Sequence, residues 1–97
     1  MLNTRTNQEW IQDLTSAGPQ QAEAIEDLRQ LLLVASLYTF NRNPGDLSDL
    51  DPQGKLALAE DWAQEALVAV LSKLKDFRSE GKFTTWAFKF AVNITLP

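Results

Sequence analysis

An all-α fold, a compact bundle of about four helices in a single domain over residues 1–97, is predicted by three features of this sequence. Apolar residues recur at spacings of three and four over most of the chain, as on one buried helical face. No apolar–polar alternation runs long enough for a half-buried strand. The breakers Gly18-Pro19, Asn43-Pro44-Gly45 and Gly81 fall between the periodic stretches.

A short first helix is expected over 7–17, with Asn7 as its N-cap and Trp10, Ile11 and Leu14 on one side. Gly18-Pro19 ends it. A core helix over 20–42 carries Ile25, Leu28, Leu32 and Ala35 at helical spacing. Leu31, Leu33 and Val34 make its middle apolar nearly all round, which predicts the most buried element. The acidic loop NPGDLSDLDPQG follows. A third helix over 56–77 has the stripe Ala63, Leu67, Val70, Leu74 and Phe77, then a loop over 77–82. Thr84 or Thr85 is a natural N-cap for a last helix over 84–95.

Ninety-seven residues suit one domain with a modest core. The chain has neither cysteine nor histidine, so disulfides, zinc sites and histidine acid–base chemistry are excluded. Nothing pairs a nucleophile with a base, so no enzyme and no cofactor are expected. The apolar run LLLVA is far shorter than the roughly 20 residues that cross a bilayer. No apolar stretch follows Met-Leu-Asn-Thr-Arg as a secretory leader would require. A cytoplasmic protein without membrane contact is the expectation.

Charge is divided unevenly. Residues 73–90 hold five cations and two acids, a local +3, while the remainder holds four cations and eleven acids, −7. The same basic stretch contains Phe77, Phe83, Trp86, Phe88 and Phe90, five of the nine aromatics. Aromatics fill a core, but interleaved cations do not. A local basic patch matters more to a polyanion than net charge does.

Two short patterns mislead. DLDPQGKLALAE, residues 49–60, approaches a calcium-loop pattern through Asp49, Asp51, Gln53, Gly54, Leu56 and Glu60. Gln53 is a neutral ligand, Pro52 stiffens the loop, and the preceding helix ends too early, which favours a solvated acidic loop. Ser79-Glu-Gly-Lys82 has the Ser-x-x-Lys spacing of some acyl-transfer enzymes, without their other motifs.

Two further groups are candidates for binding. Asp61, Gln64 and Glu65 share one helical face, and the last two lie beyond the turn where the helix dipole alone favours acids. In the last helix Thr85, Lys89 and Asn93 form a narrow polar line beside the apolar line Trp86, Phe90 and Ile94. A cation suits phosphate, an amide suits a base edge, and a hydroxyl suits either.

DWAQEALVAVLSKLKDFRSEGKFTTWAFKFAVN, residues 61–93, resembles region 2 of bacterial RNA polymerase sigma factors of the extracytoplasmic-function group. The matching positions are Asp61, Gln64, Glu65, Ala66, Leu74, Phe77, Arg78, Glu80, Phe83, Thr85, Trp86, Lys89, Ala91 and Asn93. The resemblance implies that Asp61, Gln64 and Glu65 dock on the β′ clamp helices of RNA polymerase core. It also implies that the loop 77–82 and the next helix hold the non-template strand of the promoter minus-ten element, with one base flipped into a pocket. Carried over, the DNA-binding set is Phe77, Arg78, Ser79, Lys82, Thr85, Lys89 and Asn93. A cognate anti-sigma factor is a further partner such proteins can have. The function implied is promoter recognition and melting in transcription initiation.

This sequence departs from the family at Ser79, where glycine is usual, and at Gly81. Such sigma factors also continue into a C-terminal region 4 domain, whereas this chain stops at Pro97, as a fragment holding the first domain would. The alternatives are a sigma-like helical protein-interaction module without DNA binding, or a calcium-binding helical protein.

Overall fold

Thr6, not Asn7, caps the first helix of the computed structural model, which describes residues 5–42 and 49–95. The Thr6 hydroxyl accepts from the Glu9 backbone N–H, and the Glu9 carboxylate accepts from the Thr6 N–H, a reciprocal capping box. Helix α1 therefore spans Asn7–Thr15 and leaves the Asn7 side chain free for another task. Gly18, at φ 81°, turns the chain, and Pro19 opens α2, Pro19–Arg42, at a position whose missing N–H has no intrahelical partner. The break expected at Asn43-Pro44-Gly45 lies outside the described residues.

Helix α3 spans Pro52–Ser72 and starts four residues earlier than the sequence suggests. Asp51 is its N-cap, accepting from the Gly54 N–H at 2.7 Å, with Pro52 in the first turn. The calcium reading fails on this geometry. Gln53 and Glu60 lie on one helix, roughly 10 Å of rise apart, whereas ligands around one calcium ion sit about 2.3–2.6 Å from it. Among the described residues no three acidic side chains gather as a metal site requires.

The helix also ends sooner than expected. At Lys73 the backbone tightens into a 3-10 turn, Leu74–Asp76, and Phe77 is already extended. Leu74 and Phe77 thus leave the buried stripe of α3 and pack half-buried at its end. The last helix, α4, spans Phe83–Thr95.

These four helices and one 3-10 turn make an all-α bundle, with no strand among the described residues. Helix α2 is the hub and packs on each of the other three. Its Leu28, Leu32 and Ala35 are fully buried against Ala63, Ala66 and Val70 of α3 and Ala87 and Ala91 of α4. Alanines at these crossings let the helix backbones approach closely. Being central does not make α2 apolar on every side, since Val34 and Tyr38 are more than half exposed. No described helix is long and apolar enough to cross a membrane.

Helix α4 resolves into lines of residues four apart. Phe83, Ala87, Ala91 and Thr95 are buried; Trp86, Phe90 and Ile94 are half-buried; Thr85, Lys89 and Asn93 are exposed. The apolar line visible in the sequence is thus the flank, and the core line is the inconspicuous one built on alanine.

Candidate nucleic-acid interface

The aromatics of residues 77–90 do not all serve one purpose. Phe83 is fully buried and stacks on Trp10 of α1 with ring centroids 5.0 Å apart. Phe77 meets Phe83 edge-on at 5.4 Å and Trp86 at 5.1 Å, and Trp86 meets Phe90 at 4.9 Å. Phe88 faces the other way, towards Tyr38 of α2 at 6.4 Å. The chain of rings from Trp10 to Phe90 is a rigid platform, because close aromatic pairs add to their burial energy. Phe77 and Trp86 sit at its edge, half-buried, where they can present a ring surface to a ligand.

A long-range clamp positions the loop between the 3-10 turn and α4. Asn7 Nδ2 donates to the Gly81 carbonyl at 2.8 Å, and Asn7 Oδ1 accepts from the Phe83 N–H at 2.7 Å. Asn7 therefore caps α4 from another helix, doing from a distance what Thr84 or Thr85 was expected to do locally. Ser79 in this loop has φ 59°, the left-handed region that costs an L-residue roughly 1–2 kcal/mol. Glycine, usual in the resembled motif, takes that conformation without penalty. Gly81 does not have a positive φ, and its surroundings leave space for a side chain.

Below this loop lies a cleft of about 290 Å³. Its walls include Phe77, Arg78, Lys82, Thr85, Trp86 and Lys89, together with Asp76, Glu80 and Gly81. Five of the seven residues expected to hold DNA thus come together around one space. Two do not. Asn93 is exposed one turn further along the α4 polar line, and Ser79 lines a neighbouring depression.

The cations of the cleft are electrostatically available. Arg5 bridges Asp13 and Asp27, and Arg29 is bonded to Glu26 at 2.8 Å. Lys73, Lys75, Arg78, Lys82 and Lys89 make no salt bridge with any described residue, although Asp76 and Glu80 stand in the same segment. The charges that knit the fold and those that face solvent are therefore separate sets. An unpaired cation beside an aromatic wall can neutralise a phosphate while a base lies on the ring.

Asp61, Gln64 and Glu65 are exposed on the outer face of α3, away from the α2 and α4 contacts. Val68, one turn on along the same face, is 59% exposed. This patch of acid, amide and valine has the mixed character of a protein-docking surface.

Nothing in the sequence marked Asn7 as part of this site, because its partners lie 74 and 76 positions away. Lys75 was visible only as charge. Residues 52–96, just under half of the chain, match the family model described as Sigma-70 region 2. The matched span runs from the first residue of α3 through the end of α4 and takes in the cleft and the outer face of α3. No curated protein and no solved structure matches the chain.

Proposed function

We propose, from a chain whose residues 52–96 are similar to sigma-70 region 2, that this protein works in transcription initiation as a non-catalytic, promoter-recognising partner of RNA polymerase. The observation that carries the reading is the cleft below the loop. Phe77, Arg78, Lys82, Thr85 and Lys89 converge there, and none of the three cations forms a salt bridge with a described residue.

In this reading the cleft receives a base extruded from the non-template strand of the minus-ten element. Phe77 and Trp86 offer it a stacking surface worth about 1–3 kcal/mol. Arg78, Lys82 and Lys89 neutralise the flanking phosphates, and Thr85 offers a hydroxyl to either group. Asn93, further along the same line, reads a base edge of a neighbouring nucleotide. Opening a duplex costs unstacking energy of a few kcal/mol per base, and a shaped pocket for the flipped base offsets it.

Asp61, Gln64 and Glu65 dock the protein on the clamp helices of the polymerase β′ subunit. The extracytoplasmic-function subgroup fits the motif spacing, and a cytoplasmic site of action follows from the same role. An anti-sigma factor would act by covering either surface.

Binding to a β′ clamp-helix fragment tests the reading. Glu65→Lys reverses a charge on an exposed position, so helicity by circular dichroism should stay unchanged while clamp binding is lost. Undiminished binding by the variant removes the polymerase half of the proposal.

A further inference from the structure

The cleft lies wholly within the matched segment, residues 52–96, yet two of its parts are held from α1. Asn7 does not line the cleft. Its Nδ2 donates to the carbonyl of Gly81, which does, and its Oδ1 accepts from the Phe83 N–H. The Phe83 ring in turn backs both aromatic walls, with centroids 5.4 Å from Phe77 and 5.6 Å from Trp86. Trp10, also on α1, stacks on that same ring.

Little else ties the loop down. Among the described residues Arg78, Ser79 and Glu80 make no hydrogen bond, and the bond from Asn7 to Gly81 is what joins this stretch to the rest of the fold. Ser79 stands at φ 59°, a conformation that persists only where the surroundings hold it. Two cations of the cleft, Arg78 and Lys82, sit on either side of this tied stretch.

We infer that Asn7 is a positioning residue for the cleft: its bond to Gly81 fixes the loop, so that Arg78 and Lys82 meet a strand already in place. The inference rests on the DNA-binding half of the functional reading, and it makes α1 part of the binding unit although α1 lies outside the matched segment. The two bonds of Asn7 then have different consequences. The bond from the Phe83 N–H satisfies an otherwise orphan donor at the start of α4 and acts on stability. The bond to the Gly81 carbonyl holds a loop that carries charge and acts on affinity. An untied loop samples other placements, and apparent affinity falls with the fraction of molecules that keep the competent one. The net weight of one hydrogen bond makes that a factor of about three to ten.

Aspartate in place of asparagine separates the two effects. Asn7→Asp keeps an oxygen for the Phe83 N–H and loses the N–H that Gly81 accepts. Gln8→Glu, at the exposed neighbouring position, adds the same charge and touches neither bond, so it serves as the control for electrostatic repulsion. Both variants, with Asn7→Ala and the parent, are made in the full 97-residue chain and titrated with a mixed-sequence single-stranded DNA hexanucleotide. Amide shifts in nuclear magnetic resonance follow the binding, so weak affinity does not hide the answer.

In free Asn7→Asp the Phe83 amide should stay protected from hydrogen exchange while the amides of residues 78–82 shift. The hexanucleotide should bind it about threefold to tenfold more weakly than it binds Gln8→Glu. Asn7→Ala should lose the Phe83 protection as well as the affinity. A role in stability alone gives a different split, with Asn7→Asp binding as tightly as Gln8→Glu, and that result overturns the inference while the parent's response leaves the functional reading standing. Loop amides unmoved in Asn7→Asp also overturn it. If the hexanucleotide moves no cleft amide of the parent, the DNA-binding reading fails and the role of Asn7 falls with it.

Discussion

Ser79 and Asn7 act on the loop beside the cleft in opposite ways, one by strain and one by hydrogen bonds, and each makes a separate prediction. Ser79 occupies a left-handed conformation that glycine takes at no cost. Ser79→Gly should therefore stabilise the fold by roughly 0.5–1 kcal/mol in urea unfolding, less what the unfolded chain gains in freedom. Asn7 makes two hydrogen bonds to the loop and to the start of α4. Asn7→Ala should cost about 1–2 kcal/mol, the combined effect of a lost cap and an unmet backbone group. It should also broaden the amide signals of residues 79–83, because the loop loses its tie to α1. Equal stability of the variant and the parent in urea would show that the clamp contributes nothing.

At the scale of elements, α3 carries the clearest separation of a buried from a solvent-facing side. Ala59, Ala63, Ala66 and Val70 are fully buried, and Asp61, Gln64, Glu65 and Val68 lie outward. Val68→Asp should lower affinity for the clamp-helix fragment several-fold without loss of helicity, since the proposed docking face loses an exposed valine's contact area. Helix α2 offers a pH test. The Arg29 hydrogen bond, with help from Gln30, holds the Glu26 carboxyl at about 2, below its ordinary 4.5. A depressed carboxyl adds stability above its unfolded value, and that stability is lost as pH falls through the folded one. The small stability gap between the parent and Glu26→Gln should thus be fully present at pH 6 and vanish near pH 2.

How much of each element was legible follows from what the signal was. The exposed line Thr85, Lys89 and Asn93 was readable because polar residues at four-residue spacing stand out in an apolar helix. The buried line through Ala87 and Ala91 was not, because alanine carries little hydropathy and Trp86, Phe90 and Ile94 drew attention to the flank. Asp51 and Pro52 looked like loop residues, yet a helix starts with those same residue types. Asn7 capping α4 was invisible, since a contact across 76 positions leaves no local pattern. The end of α3 at Ser72 was equally hidden. Leu74 and Phe77 continue the apolar spacing of α3, but packing against Phe83 and Trp86 takes Phe77 out of the helix.

For the whole molecule, the decisive property is how charge is divided. An acidic chain of net −4 repels a nucleic acid strand at long range, while the cations of residues 73–90, which form no salt bridge with a described residue, favour it at contact. Free affinity for single-stranded DNA should accordingly be weak, and it should still fall as salt rises, by about 0.7 in log–log slope for each phosphate contacted. The measurement that bears most directly on this account is fluorescence anisotropy of single-stranded minus-ten-like DNA bound to the protein with polymerase core. It is made across a salt series for the parent, Lys89→Ala and Asn93→Ala. Lys89→Ala should weaken binding about equally on every sequence and flatten the salt slope, whereas Asn93→Ala should relax base preference and leave the slope unchanged. If both variants keep the parent's affinity, slope and preference, the α4 polar line is ordinary surface, and the protein does not grip DNA there.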